Sequence, residues 1–438
     1  MPINSKHPEF DEYEEAVELV NDCLEGDVVE YIPKKESQTQ AQYEKFRKRP
    51  SFYNVVERTA SALVGALTRK PARLENVAGT IPNMEDGDNF EEFLQEAYTT
   101  LLAEGRMGIL VDFDEENNQP YLVTYPGTSI INWSEDFIII EECFYGSDPK
   151  DKYVIAEQKR YRELTLDEAG IYTVNIWEEV SKDRYEIIES IQPIVRGAYL
   201  TEIPFTWVNQ YDTTDDLRKP PLFTLAQINV EHFVLQAGLA HIAWVLASPT
   251  PTIVGDLQGD ESTIGLGGDK FIHLRAGGSA QYMEFSGQGS QFVLDLANQK
   301  ESQMFSLGSR LLQYKAGVES SDALQIRLGA EGASLMTMRN SLNAGLTKAL
   351  TFYNQWFSST AIPVVDLNSD FSPAQLSPQA LTSLLQLYAA GALTLDTMLK
   401  RLYEGEIVDE ADLMQPGVLA DQQKGPAPDV GIEGAEDE

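Results

Sequence analysis

Between Lys219 and Asp256 the chain carries a single charged side chain, Glu231. A helix across 221–247 would run about 40 Å at 1.5 Å per residue. Such a helix is apolar nearly all round, so it has to be covered on all sides. Its most apolar part, FVLQAGLAHIAWVLA (Phe233 to Ala247), is shorter than the ~20 residues a membrane span needs. It also holds Gln236 and His241. Two covers remain: the rest of the same chain, or neighbouring copies in an oligomer.

The flanking sequence gives this helix a partner. Residues 248–290 are rich in Gly and Pro, with strand signals at PTIV and KFIHL. A return helix is predicted over 291–313, with Phe292, Val293, Leu296, Met304, Leu307, Leu311 and Leu312 on or near one face. The polar break YKAGVESSD (314–322) follows, then a helix from about Ala323 to Phe357 with no proline to stop it. Early in that helix come Gly329, Ala330, Gly332, Ala333 and Ser334. Small residues permit close backbone approach. Five within six positions point to a crowded symmetric contact.

N-terminal to this block, helices are predicted over 8–24, 42–71 and 89–105, with Pro50 breaking or restarting the second. Residues 106–208 read as strands separated by polar turns. Towards the C-terminus, 361–376 begins as a strand. Ser377-Pro378 caps a helix ended by Gly391, and Thr394 caps LDTMLKRLYEG. The acidic stretch beyond about 414, with Gly425-Pro426-Ala427-Pro428, reads as disordered.

The 438 residues predict two to four structural regions. The 33 basic and 69 acidic residues give −36 at pH 7, a charge that repels nucleic acid and anionic membranes. A sequence-reading DNA binder is disfavoured. Two cysteines, Cys23 and Cys143, make no disulfide framework and suit a reducing compartment. No signal peptide is seen, and the chain reads as cytosolic when made.

Tests for chemistry fail. VDFDEEN mimics a calcium loop at Asp112, Asp114 and Glu116, but Asn117 and Val123 stand where Gly and Glu are needed. It reads as a solvated hairpin turn. GLGGDK (265–270) matches no phosphate-binding pattern, and no GxSxG, HExxH or CxxC occurs. His232 and His241 are nine apart, a half-turn out of phase, and make a poor metal pair. No cofactor and no metal is expected. The basic run KFRKRP (45–50) reads as a solvated face pairing with the surplus of acids.

The order of segments over 8–413 resembles the portal proteins of tailed bacteriophages. HPEF and SFYNVVERTASALVGALTRKP look like the amino-terminal helices of one portal branch. GRMGILVDFDEENNQPYLVTYPGTSIINW looks like the core of the portal wing. The helix pair flanking 248–290 looks like the stem around the clip. GALTLDTMLKRLYEGEIV looks like an element common near portal carboxy-termini, with Asp396 where Glu is more usual. The resemblance implies an α+β, portal-like subunit. Its parts would be N-terminal helices and a β-rich wing (1–220), stem helices (221–247 and 291–313), a small clip (248–290) and a tunnel loop (314–322). A long tunnel helix and wing return (323–360), a helical C-terminal wing or crown (361–413) and an acidic tail (414–438) would complete it.

The family forms a homo-oligomeric ring, typically of twelve subunits, at one capsid vertex. Double-stranded DNA passes through it without sequence preference during packaging and ejection. Under the resemblance, Tyr314, Lys315, Glu319, Ser320, Ser321 and Asp322 would face the channel. Leu235, Val245, Gly329, Ala330, Gly332 and Ala333 would pack subunits together. Asp256, Asp260, Glu261 and Asp269 would lie on the clip, where the terminase large subunit and later a head-completion adaptor dock. Major capsid or scaffold proteins would surround the ring. The protein would be a virion component, in the host cytoplasm during assembly, with no catalytic centre and no membrane contact.

Two rival readings stand beside this one. A soluble multidomain hydrolase would need convergent carboxylates of perturbed pKa in a pocket. Another neck or adaptor ring protein would be shorter and lack the two-stem arrangement.

Overall fold

The computed structural model describes residues 2–79, 83–84, 89–114, 119–148, 151–182, 184–247, 250–254, 277–283, 289–308, 321–357, 359–371 and 378–404. Contacts divide the chain into two units, Met1–Ser369 and Asp370–Glu438.

The first unit begins with α1 (Phe10–Glu25), whose buried stripe is Phe10, Tyr13, Ala16, Val17, Val20 and Cys23. It stops at Gly26, whose positive φ of 83° lets its N–H reach back to the Asp22 carbonyl. The helical signal of 42–71 resolves into α2 (Gln40–Arg47) and α3 (Val55–Leu67). Thr39 and Gln42 form a capping box on α2, and the Asn54 side chain caps α3. Pro50 sits in the gap, where its missing N–H does no harm.

After the short strands β1 (Arg73–Glu75) and β2 (Asn83–Met84), α4 (Phe90–Glu104) ends at Gly105. The chain then turns into β3 (Arg106–Asp114) and β4 (Gln119–Pro126). With β12 (Phe205–Asn209) these make a sheet of order β12-β3-β4-β2, antiparallel except where β2 runs parallel to β4. A second sheet is a meander of β5 (Ile130–Trp133), β6 (Phe137–Asp148), β7 (Asp151–Leu166), β8 (Tyr172–Ser181) and β9 (Arg184–Ile191). The small hairpin β10 (Ile194–Val195) and β11 (Ala198–Tyr199) follows. The strand-rich region predicted over 106–208 is therefore two sheets, sharing one core through Leu110, Tyr125, Ile140, Leu164 and Phe205.

Two polar networks fix this body. Arg106 has no exposed surface, yet both terminal nitrogens of its guanidinium find acceptors. It lies 4.2 Å from the Trp133 ring and 4.8 Å from that of Trp207, and donates to the carbonyls of Asp215, Gly127 and Ile130. Burial lowers its pKa, to about 10, so it stays charged at neutral pH. In the second network Arg162 donates to Asp112 and Glu142, at 2.8 and 2.7 Å, while Arg160 also binds Glu142. Burial alone would raise the Glu142 carboxyl, but the two arginines and the Tyr125 hydroxyl outweigh it and hold it below the usual value. Asp112, expected in a solvated turn, is thus inside β3 and ion-paired. The turn itself lies outside the described residues.

The predicted apolar helix is α5 (Phe223–Leu246). β13 (Thr250–Val254) pairs antiparallel with β14 (Ser279–Met283), which the sequence did not signal. The expected KFIHL strand lies outside the described residues. The return helix is α6 (Ser290–Gly308), and the long helix is α7 (Ser321–Trp356), about 54 Å of rise. β15 (Val364–Asp366) pairs with β1.

The second unit holds α8 (Pro378–Ala389) and α9 (Leu395–Glu404). Gly391, at φ 72°, ends the first, and the Thr394 hydroxyl accepts the Thr397 N–H at the start of the second. Both punctuation signals were legible in the sequence.

Candidate assembly and channel surfaces

The helices α5 and α6 form an antiparallel hairpin. Glu231 pairs with Lys300, and His232 meets Glu301 at 3.2 Å while Gln236 bonds the same ring nitrogen. This register puts the C-terminal end of α5 beside the N-terminal end of α6. His232 is buried by this packing, and His241 is engaged elsewhere. His241 sits 2.9 Å from Arg49 and packs on Phe46 and Trp244. Burial, then Arg49 and Lys35, lower its pKa, so the ring is neutral and accepts the Arg49 N–H. The two histidines share no ligand, and no metal-binding group of three occurs among the described residues. The basic run is partly paired, with Arg47 bound to Glu30 and Glu44.

The body covers only part of the hairpin. The first half of α5 is buried at Leu225, Ala226, Asn229, Val230, Phe233 and Ala237, against α1 and α3. Asn229 carries a role that the sequence did not signal. Its side chain accepts the Val55 N–H at 3.0 Å and donates to the Tyr53 carbonyl at 2.9 Å, anchoring the start of α3. Past Ala237 the cover thins: Leu239 to Ile242 are half-buried, and Trp244 is 52 % exposed.

On α6 the apolar face predicted from spacing exists, but the subunit buries only its margin. Ala297 and Met304 are buried. Phe292 (68 % exposed) and Leu307 (53 %) lie on one flank, about 130° and 70° round the helix from them. Leu294 (41 %) and Phe305 are exposed on the opposite flank, about 80° away. The hairpin therefore presents apolar side chains on two different sides.

The sequence-predicted residues fall as follows. Leu235 is half-buried on α5, and Val245 lies in its last turn. Gly329, Ala330, Gly332 and Ala333 lie on α7, with Ala333 exposed. Ser321 and Asp322, expected in the loop, already have helical backbone, so that loop would end at Ser320. Tyr314, Lys315, Glu319 and Ser320 lie outside the described residues, as do Asp256, Asp260, Glu261 and Asp269.

The hydrolase reading finds little to use. The Glu104 carboxyl is pushed upward, chiefly by burial, and it is held by the Thr128 N–H and hydroxyl at 2.9 and 3.1 Å. It sits behind Arg106 in the core, away from the described cavities.

The family model described as "Domain of unknown function (DUF4055)" matches residues 221–357, less than half of the chain. No curated protein sequence matches. Among solved structures, the chain is similar to a chain in the virion of the native gene transfer agent particle, at 14 % identity and TM-score 0.46. That match covers 80 % of this chain and 90 % of the other. It is also similar to a chain in the neck of that particle, at 13 % identity and TM-score 0.42, covering 80 % and 89 %. A third similar structure is an HK97-family phage portal protein from Corynebacterium diphtheriae, at 10 % identity and TM-score 0.34, covering 77 % and 97 %.

Proposed function

We propose that this protein is the structural subunit of a portal ring, the conduit for double-stranded DNA at one vertex of a phage-like capsid. The observation that carries the reading is the α5–α6 hairpin, apolar on two unlike flanks that the subunit leaves open. A contact between two unlike surfaces is heterologous, and it generates a closed ring when the rotation closes. The sequence resemblance to portals supplies the kind of ring, with twelve subunits as the working number.

In this reading α5 and α6 are the stem helices, and 248–290 is the clip. Asp256, Asp260, Glu261 and Asp269 would give that end an acidic rim for the terminase and the head-completion adaptor. The tunnel loop before α7 would bring Lys315 to the channel as a transient phosphate contact. The role is structural rather than catalytic. A net charge of −36 per subunit fits a conduit, because each cation held on a phosphate adds to the grip on DNA.

Mass measurement of the purified protein, with negative-stain images of the same sample, tests this directly. The expected result is a particle of about twelve subunits with a central hole. A monomer or dimer at every salt and concentration, still monomeric when coexpressed with capsid and scaffold proteins, refutes it.

A further inference from the structure

In the meander sheet β6 and β7 outrun their neighbours. β5 pairs with β6 only over Ile138–Ile140, and β8 pairs with β7 only over Arg160–Leu166. Among the described residues, Cys143–Asp148 and Asp151–Lys159 pair with each other alone, as an arm of two strands. A two-stranded ribbon is marginal in water by itself. One face of this arm carries Tyr145, 79 % exposed, and Ile155, 71 % exposed, two positions apart in the register.

The same sheet has an open edge. β9 pairs with β8 on one side, and no described backbone hydrogen bond leaves its other side. Its first half is guarded by charge, with Arg184 bonded to Glu186. Its second half is richer in apolar side chains: Ile187, Ile188 and Ile191 are exposed beside Glu189 and Ser190, and Ile188 is bulged out of register. An exposed apolar edge is a template for another strand. Beside it, on one face of the sheet, is a cavity of about 410 Å³ whose apolar wall includes Phe113, Ile191 and Trp356 and whose polar wall includes Arg160, Glu189 and Gln192, a lining that suits a tyrosine with its ring and hydroxyl.

We propose that the β6–β7 arm of one copy adds as a strand to the free β9 edge of a second copy, seating Tyr145 over this cavity. Strand addition draws affinity from main-chain hydrogen bonds and specificity from pockets for alternate side chains. The edge has both. A copy cannot serve itself, because its arm is continuous with β6 and β7, and β8 stands between them and β9. The donor and acceptor surfaces are different and occur on the same chain. The contact is therefore heterologous and can repeat from subunit to subunit. The inference rests on the ring reading above.

The test uses the assembled full-length protein in a Cys143→Ser background. Ile155→Cys combined with Ile188→Cys should give a ladder of disulfide-linked subunits on a non-reducing gel, and neither change alone should. Independently, Tyr145→Ser with Ile155→Ser should raise the concentration for half-assembly about tenfold or more. Both positions are exposed, so the melting temperature of the unassembled chain should stay put. Rings that form without a ladder, and that tolerate the serine pair, overturn the arm contact and leave the ring standing. A chain that never assembles overturns both.

Discussion

Replacing Phe292 by Asp should separate assembly from folding. In the subunit Phe292 is 68 % exposed, so the change removes little that the subunit needs. Exposed helix substitutions usually stay within about 0.5 kcal/mol, which is a shift of roughly 2 °C or less in melting temperature for a unit of this size. In a ring the same side chain would be covered. A phenylalanine offers roughly 200 Å² of surface. Covering the exposed 68 % removes roughly 140 Å² from water, about 3.4 kcal/mol at 25 cal/mol per Å². That is about 300-fold in the association constant of each contact. Leu307, on the same flank and 53 % exposed, adds about 1 kcal/mol. A carboxylate buried there without a partner costs several kcal/mol more. The assay is analytical ultracentrifugation across a concentration series, with circular-dichroism melts of the same samples. The Phe292→Asp, Leu307→Asp chain should sediment as a folded monomer where the wild type forms rings. Rings at wild-type concentrations would refute the claim that this flank is an interface. A melting temperature lowered by ten degrees would refute the claim that it is free in the subunit. Leu235→Asp is a poorer probe, because Leu235 is already half-buried by its own chain.

Asn229→Ala should cost roughly 2–4 kcal/mol in urea unfolding, because it strips a buried acceptor from the Val55 N–H and a donor from the Tyr53 carbonyl. Asn54→Ala removes the local cap and the bonds to the Cys23 and Leu24 carbonyls, and should cost roughly 1–2 kcal/mol; a loss at Asn229 of only about 0.5 kcal/mol would count against its anchoring role. Glu104→Gln should flatten part of the pH profile of stability. The folded carboxyl is raised above its usual 4.5, so the folded state holds a proton that the unfolded state has lost. Stability from this group is therefore present at low pH and declines as pH rises from about 4.5 through the folded pKa. Melting curves between pH 4 and 7 should show that decline in the wild type and not in the variant, and parallel profiles would rule the assignment out.

What the sequence made legible was local. The near-absence of charge over 221–247 and the absence of proline over 323–357 gave α5 and α7 to within a few residues. Pro50, Gly391 and Thr394 marked ends through backbone geometry that needs no tertiary partner. What stayed hidden depended on residues far apart in the chain. Asn229 caps a helix that starts 174 residues earlier. Arg106 looks like a surface cation until Trp133 and Trp207 close round it. Asp112 looks like a turn residue until β7 brings Arg162 beside it. On α6 the period reported an apolar face correctly, but no period can say whether the cover comes from the same chain or another.

The anchoring of α7 bears on why its early turns are so small. From Leu335 onward the helix is fastened to the body. Leu335, Met338, Leu342, Leu346, Leu350 and Tyr353 form its buried stripe. Ser341 donates to the carbonyls of Asn209 and Asp212, and Arg339 to that of Leu367. At Gly345 an added Cβ would stand 2.4 Å from Val208, so the helix lies directly on β12. The direction of the remaining turns, Ser321 to Ser334, is set by this grip. At 100° per residue, position 333 falls on the side of the helix opposite the anchored stripe, and 334 about 100° from it. Ala333 and Ser334 are exposed, in keeping with that geometry. Helix propensity alone would not select glycines at 329 and 332. They make sense where a neighbouring α7 comes close, which is the place the ring reading gives them.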